Sequence, residues 1–171
     1  FYQLVVNQPY KLKFIPWPKK EKKLIEFLDS SEVMLLLSKC SNIKHKVIIM
    51  LMYGSGLRVG EVINLESKDI DSKQMIIRIL QGKGKKDRIV QLDKTLLDLL
   101  RIYFKEYQPT HKLFYGQFGK EKPYTERSIN QFLKKYAELS GIKRNVHAHL
   151  LRHSFATSSL EMGVDLRIIK D

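Results

Sequence analysis

Cysteine is almost missing from this 171-residue chain: Cys40 stands alone, which excludes an internal disulfide. Proline is sparse, five in all, and three of the five (Pro9, Pro16 and Pro18) fall in the first 23 residues. Long apolar runs are also lacking. The longest, such as Val47 to Met52, fall far short of the roughly 20 residues that cross a bilayer. No stretch pairs a basic helix face with a Trp/Phe/Leu face, so a lipid-surface helix is not expected. The N-terminus carries no charged stub, apolar run and small-residue cleavage site, and a cytosolic chain is the expectation. Acidic residues are scarce as well: 18 Asp and Glu against 31 Lys and Arg leave a net charge of +13 at pH 7. What is present suits one or at most two domains with a proper core, since 43% of residues are apolar, 10% aromatic and 29% charged, and intrinsic disorder is excluded. The charge makes a polyanion, nucleic acid first, the partner to consider.

Residues 1 to 23 combine the prolines with a lysine run at Lys19, Lys20, Lys22 and Lys23 and read as a linker or arm. From Asp29 the pattern turns helical. Asp29 with Glu32 three residues on forms a capping pair, and Val33, Leu36 and Leu37 carry the helical spacing of an element over about 30 to 40. Ile43 to Tyr53 is apolar on nearly every face, and its length favours a buried helix ended by Gly54 and Gly56. A short helix is expected around Arg58 to Leu65. Met75 to Leu80 and Arg88 to Leu92 flank a basic, glycine-bearing turn and predict a β-hairpin. Further helices are expected over about 94 to 107, from Thr125 to Gly141, and from about His149 to Met162, with another starting at Asp165; Thr110 to Pro123 reads as a loop. The fold class is mainly α with a small antiparallel β-hairpin or sheet, without internal repeats or low-complexity tracts.

Three clusters could carry chemistry. Gly54 to Gly60 superficially resembles a dinucleotide fingerprint, but Val59 stands where the third glycine belongs and no βαβ pattern surrounds it. The glycines are better suited to ending a helix and presenting Arg58, for which the plain alternative is an ion pair with Glu61. Lys83 sits between Gly82 and Gly84 with Lys85, Lys86 and Arg88 around it; a charged hairpin tip is often no more than a solvated turn, and no P-loop string is present. In the run from Val146 to His153, His149 and Arg152 share a helical face. His149 and His153 have the spacing of two zinc ligands, but the acidic partners of a zinc site are missing, and Ser154 lacks a nucleophile elbow, so no metal is expected. Two arginines, a lysine and a histidine near a helix N-terminus are together suited to holding a phosphodiester and stabilising its transition state without a metal.

The order Gly56-Leu57-Arg58-Val59-Gly60-Glu61-Val62, then Gly82-Lys83-Gly84-Lys85-Lys86-Asp87-Arg88, then His149-Leu150-Leu151-Arg152-His153-Ser154 resembles the tyrosine recombinase or phage integrase family. The resemblance covers about Asp29 to Asp171. It implies a recombinase catalytic domain over 24 to 171, C-terminally incomplete, with residues 1 to 23 as the linker or tail of a preceding DNA-binding domain. It implies further that Arg58 and Arg152 clamp the scissile phosphate, that Lys83 protonates the leaving 5′ oxygen, and that His149 hydrogen-bonds the phosphate and assists proton transfer. Glu61 takes a supporting, positioning role, His153 a structural one, and Lys85, Lys86 and Arg88 contact DNA. The implied activity is site-specific DNA cleavage and rejoining through a 3′-phosphotyrosyl intermediate, without a cofactor, on double-stranded DNA and with other recombinase protomers in a synaptic tetramer. A cytoplasmic, nucleoid-associated protein follows. The competing readings are a catalytically idle recombinase-like DNA-binding module and a type IB topoisomerase-like enzyme.

The family pattern continues to a Gly-His or Gly-Trp position and then to the tyrosine nucleophile. Here all eight tyrosines, at 2, 10, 53, 103, 107, 115, 124 and 136, precede Arg152. The expectation is therefore that the parent protein is the enzyme and that these residues alone are inactive.

Overall fold

The computed structural model describes residues 26–80, 87–116, 122 and 124–165. Lys83, Lys85 and Lys86 lie outside them, as do the expected arm or linker and the helix expected to start at Asp165.

The domain is organised around α2 (Ile43–Tyr53), whose apolar surface on nearly every side makes it a central helix. Val47, Ile48, Ile49, Leu51 and Met52 are all fully buried. Asn42 starts this helix by accepting the His45 N–H at 3.2 Å. The helices packed most extensively on α2 are α4 (Lys94–Tyr107) and α6 (Ala148–Glu161). α4 turns Leu96, Leu97, Leu100 and Tyr103 inward, and Asp93 caps it. α1 (Ser30–Lys39) packs against α5 (Glu126–Leu139), which also touches α6. The capping pair read from the sequence closes α1 reciprocally: Asp29 accepts the Glu32 N–H at 2.8 Å and Glu32 accepts the Asp29 N–H at 3.1 Å.

The expected hairpin is present as β2 (Ile76–Ile79) and β3 (Arg88–Gln91), antiparallel, with Ile79 opposite Arg88 and Ile77 opposite Val90. A third strand, β1 (Ile70–Asp71), adds to the other edge of β2 and makes a three-stranded sheet. At two residues it is too short to leave a periodic signal in the sequence. Ile77 and Ile79 point into the core and alternate with half-exposed Ile76 and Arg78.

The stretch after α4 is irregular, as expected, but it is not a loose surface loop. The Leu113 N–H donates to the Leu65 carbonyl at 2.8 Å, the Ser67 N–H donates to the His111 carbonyl at 3.1 Å, and Leu113 and Phe114 are fully buried. This tie fixes the end of α3 (Val59–Asn64), the short helix that follows Arg58. Ser154 makes the matching tie on α6. It is fully buried, accepts the Leu28 N–H at 2.8 Å and donates to the Leu150 carbonyl at 2.8 Å, so its hydroxyl joins the start of the described chain to the helix of Arg152.

Candidate active site

Arg58 precedes the first turn of α3 with extended backbone. The Glu61 carboxylate, one turn later, reaches back and accepts from both the Arg58 N–H and Arg58 Nη1, each at 2.8 Å. The ion pair that stood as the plain alternative for Arg58 is thus real, and it orients the guanidinium. Glu61 Oε2 also accepts Arg88 Nη2 at 2.7 Å. Burial pulls the Glu61 pKa upward, but the hydrogen bonds from Arg58 and Arg88 outweigh it and hold the carboxyl below its ordinary range.

Gly56 brings the second arginine to the first. Its φ is +63°, in the left-handed region that favours glycine, and a Cβ there would lie 2.4 Å from ring carbons of Phe155 on α6. With only hydrogen at that place, α6 approaches closely, and Arg152 Nη1 donates to the Gly56 carbonyl. A single residue, Leu57, therefore separates Arg58 from the backbone group that holds Arg152. Burial, then the Arg58 and Arg88 guanidiniums, push the Arg152 pKa down, while Glu61 pulls it back up. An arginine keeps its proton under such pressure, so Arg152 is a partly buried cation with two other guanidiniums close by.

The start of α6 is fixed from two sides. Asn130 on α5 accepts the Ala148 N–H at 2.9 Å, and His147 Nδ1 accepts the Leu150 N–H at 3.3 Å. His149, next to this anchored turn, is exposed and shares with Arg58 an open groove of about 770 Å³. Arg58, Glu61 and His149 line it together with Lys68, Arg78 and Lys112. For the last three, positive and negative groups are matched: Lys68 and Lys112 pair with Glu66 at 2.8 and 3.2 Å, and Arg78 with Asp71 at 2.7 Å. Lys68 and Lys112 hold Glu66 down to about 2. Around Arg58 the balance differs: the single carboxylate of Glu61 pairs with two guanidiniums, Arg58 and Arg88, while a third, that of Arg152, lies close enough to feel all three groups.

The structure thus brings together Arg58, Glu61 and Arg152, and sets His149 on the same groove as Arg58. Arg88, expected among the DNA contacts, has its guanidinium on Glu61. His153 is exposed. The sequence reading did not find Asn130 or His147 as the anchors of α6, because a histidine is an unusual cap and Asn130 lies 18 residues away on another helix. No described tyrosine lines the groove. Tyr124 and Tyr136 are instead pushed up to about 12 by burial, and Tyr103 is raised by the same cause.

A helical core thus brings Arg58 and Arg152 together beside Gly56 and sets Arg58 and His149 on one groove, a set of donors with the chemistry to bind a phosphate. The chain belongs to the phage integrase family, whose model matches residues 20–171. It is similar to the tyrosine recombinase XerA of Pyrococcus horikoshii, 36% identical over 156 residues, which is 90% of this chain and 54% of that protein. Its fold is that of a crystal structure of XerA recombinase, with a TM-score of 0.80 at 29% identity over 91% of this chain and 56% of the other. XerH site-specific recombinase bound to difH substrate, in a pre-cleavage complex, gives 0.73 at 26% identity over 91% and 49%. The chain spans between 50% and 62% of the length of such relatives. Among the described residues no helix is long and apolar enough to cross a membrane.

Proposed function

We propose that this chain is the DNA-binding catalytic domain of a site-specific tyrosine recombinase, which cleaves and rejoins DNA through a 3′-phosphotyrosyl intermediate in the complete protein. The observation that carries this reading is the junction at Gly56, where Arg58 and the anchor of Arg152 stand two residues apart with positive charge left over. Forked donors on either side of a scissile phosphate suit the charge that builds on its non-bridging oxygens during in-line displacement. His149, exposed on the same groove as Arg58, donates a further hydrogen bond to the phosphate and helps to move a proton. Lys83, by its place in the motif order, protonates the leaving 5′ oxygen. Because the phosphotyrosyl bond retains the phosphodiester's energy, rejoining needs no nucleotide and no metal.

The partners of this reading are double-stranded DNA and further recombinase protomers in a synaptic tetramer, and the protein works on the nucleoid. Since no tyrosine follows Arg152, residues 1–171 alone grip DNA without forming an adduct. The test uses the full-length protein on a nicked duplex from which the cleaved end diffuses away. A covalent protein–DNA band is expected with the full-length protein and none with residues 1–171, whose binding nevertheless falls steeply with salt. A full-length protein that binds equally well and never forms the band is the idle module instead.

A further inference from the structure

Arg88 is the first residue of β3, yet its side chain leaves the sheet and ends on α3. Its Nη2 lies 2.7 Å from Glu61 Oε2, the oxygen that also takes the Arg58 N–H, while Arg58 Nη1 holds the other oxygen. The Arg88 side chain is 20% exposed and that of Glu61 is 7% exposed, so the contact is shielded from solvent. Arg88 also weighs on Arg152, as one of two guanidiniums that push its pKa down.

A carboxylate that orients Arg58 brings a difficulty for phosphate binding. It cancels the charge of the arginine it positions, and it repels the phosphate that arginine is to hold. We infer that Arg88 is the positioning residue that resolves this: its guanidinium neutralises Glu61 and anchors the base of β3 to α3, so that Glu61 orients Arg58 without withdrawing its charge from the phosphate. Arg88 acts through Glu61 and does not track the DNA backbone. This assignment rests on the proposed recombinase chemistry and adds a residue to it. It also explains why the pair at Arg58 differs from those elsewhere on the groove, where Glu66 meets two lysines but faces no arginine held ready for a ligand.

The test is made on the full-length protein with Arg88→Gln, Arg88→Lys, Glu61→Gln and the double variant Arg88→Gln/Glu61→Gln. Single-turnover cleavage of the nicked duplex and DNA affinity across a salt series are measured, with thermal melting to exclude unfolded material. Arg88→Gln is expected to slow cleavage roughly 10- to 100-fold while affinity changes less than about 3-fold, and Arg88→Lys, which keeps the charge, is expected to recover most of the rate. The double variant is expected to cleave faster than Arg88→Gln, because the uncancelled carboxylate is gone. A purely structural role would give no such recovery. Equal losses for Gln and Lys, an additive loss in the double variant, or a salt slope lower by about one each overturn the inference, the last by making Arg88 a phosphate contact.

Inorganic phosphate provides the second readout, observed through the side-chain N–H resonance of Arg58. Arg88→Gln is expected to weaken phosphate binding at least 5-fold relative to the unaltered protein, on the order of a lost charge–charge contact. Unchanged binding overturns the inference. Should the unaltered protein bind phosphate in this way and never form an adduct, the recombinase reading fails and the role of Arg88 at Glu61 stands.

Discussion

Two polar clusters are built into this domain around the ends of α2, and they differ in how their charges are met. At the beginning of the helix, the His45 ring stacks on Phe132 at 4.0 Å, with Tyr136 Oη at 3.1 Å from Nδ1 and Tyr124 Oη at 3.0 Å from Nε2. Burial, then the charges of Lys44 and Lys135, push His45 down to about 4, so the ring is neutral near pH 7; it donates to one tyrosine oxygen and accepts from the other. Lys44 is buried beside it. Its ammonium donates to the Tyr115 carbonyl at 3.1 Å and sits 5.2 Å from the ring centres of both Tyr107 and Tyr124. A groove of about 720 Å³ opens alongside, but the ring nitrogens and hydroxyls at its base are already spent on one another.

Beyond the other end of α2, after Gly54, the cluster of Arg58, Glu61, Arg88 and Arg152 contains one negative charge for three positive ones. Both clusters are partly buried. Both also carry more positive than negative charge. What differs is that a charged member of the second, Arg58, lines a groove, whereas the charged member of the first, Lys44, is turned to a carbonyl and two aromatic rings. Burial of polar groups and charge imbalance therefore do not by themselves distinguish a site from a structural network, whereas the opening of a charged donor onto a groove does.

The sharpest way to break this contrast is to remove an arginine from the open cluster. In the full-length protein, Arg58→Ala or Arg152→Ala is expected to lower single-turnover cleavage by about 10³-fold or more while changing DNA affinity by less than about 5-fold, because a chain of net charge +13 keeps many other backbone contacts. Equal losses in rate and affinity would reduce these arginines to ordinary DNA contacts. Next in size is Gly56→Ala, which places a side chain at φ +63° and 2.4 Å from the Phe155 ring. A loss of about 2–4 kcal/mol in stability is expected, seen as a lower melting temperature in residues 1–171. A variant that melts as the parent does would mean that α6 can withdraw without cost.

The closed cluster makes a pH prediction of smaller size. His45 binds a proton near pH 6.5 in the unfolded chain but only near 4 in the folded one. Between those values the unfolded state takes up more protons, so stability falls as pH falls through that window, and the contribution is intact above about 6.5. His45→Gln is expected to remove on the order of 1 kcal/mol of this pH dependence, measured as the difference between the two proteins' denaturation midpoints at pH 7 and pH 4.5. Parallel curves would place a charged His45 in the folded state.

The sequence revealed most of the second cluster and almost none of the first. Arg58, His149 and Arg152 stood out because their motifs follow one another in the order of the family that the chain resembles, and the glycine at 56 marked a turn whose left-handed φ the structure shows. The helices were legible from caps and periodicity, Asp29 with Glu32 above all. The His45 network was not, since it joins residues up to 91 positions apart whose identities have only to be complementary in shape and hydrogen bonding. The convergence of Arg88 on Glu61 escaped for a related reason. In the sequence Arg88 is one cation among several near a basic turn, and only the pairing of Ile79 with Arg88 places it over α3.

The smallest effect separates the two clusters most directly. Lys44→Met removes a positive charge from a basic protein, but Lys44 is only 9% exposed and its ammonium is already turned toward a carbonyl and two aromatic faces. Methionine fills a similar volume with a flexible apolar chain but gives up the hydrogen bond to the Tyr115 carbonyl and the two ring contacts, so a destabilisation of about 1 kcal/mol is expected. The salt dependence of DNA binding is expected to stay unchanged, because a buried ammonium displaces no counterion from the phosphate backbone. A slope lower by about one would put Lys44 on the DNA, and the cluster around His45 would then have to be redrawn as open.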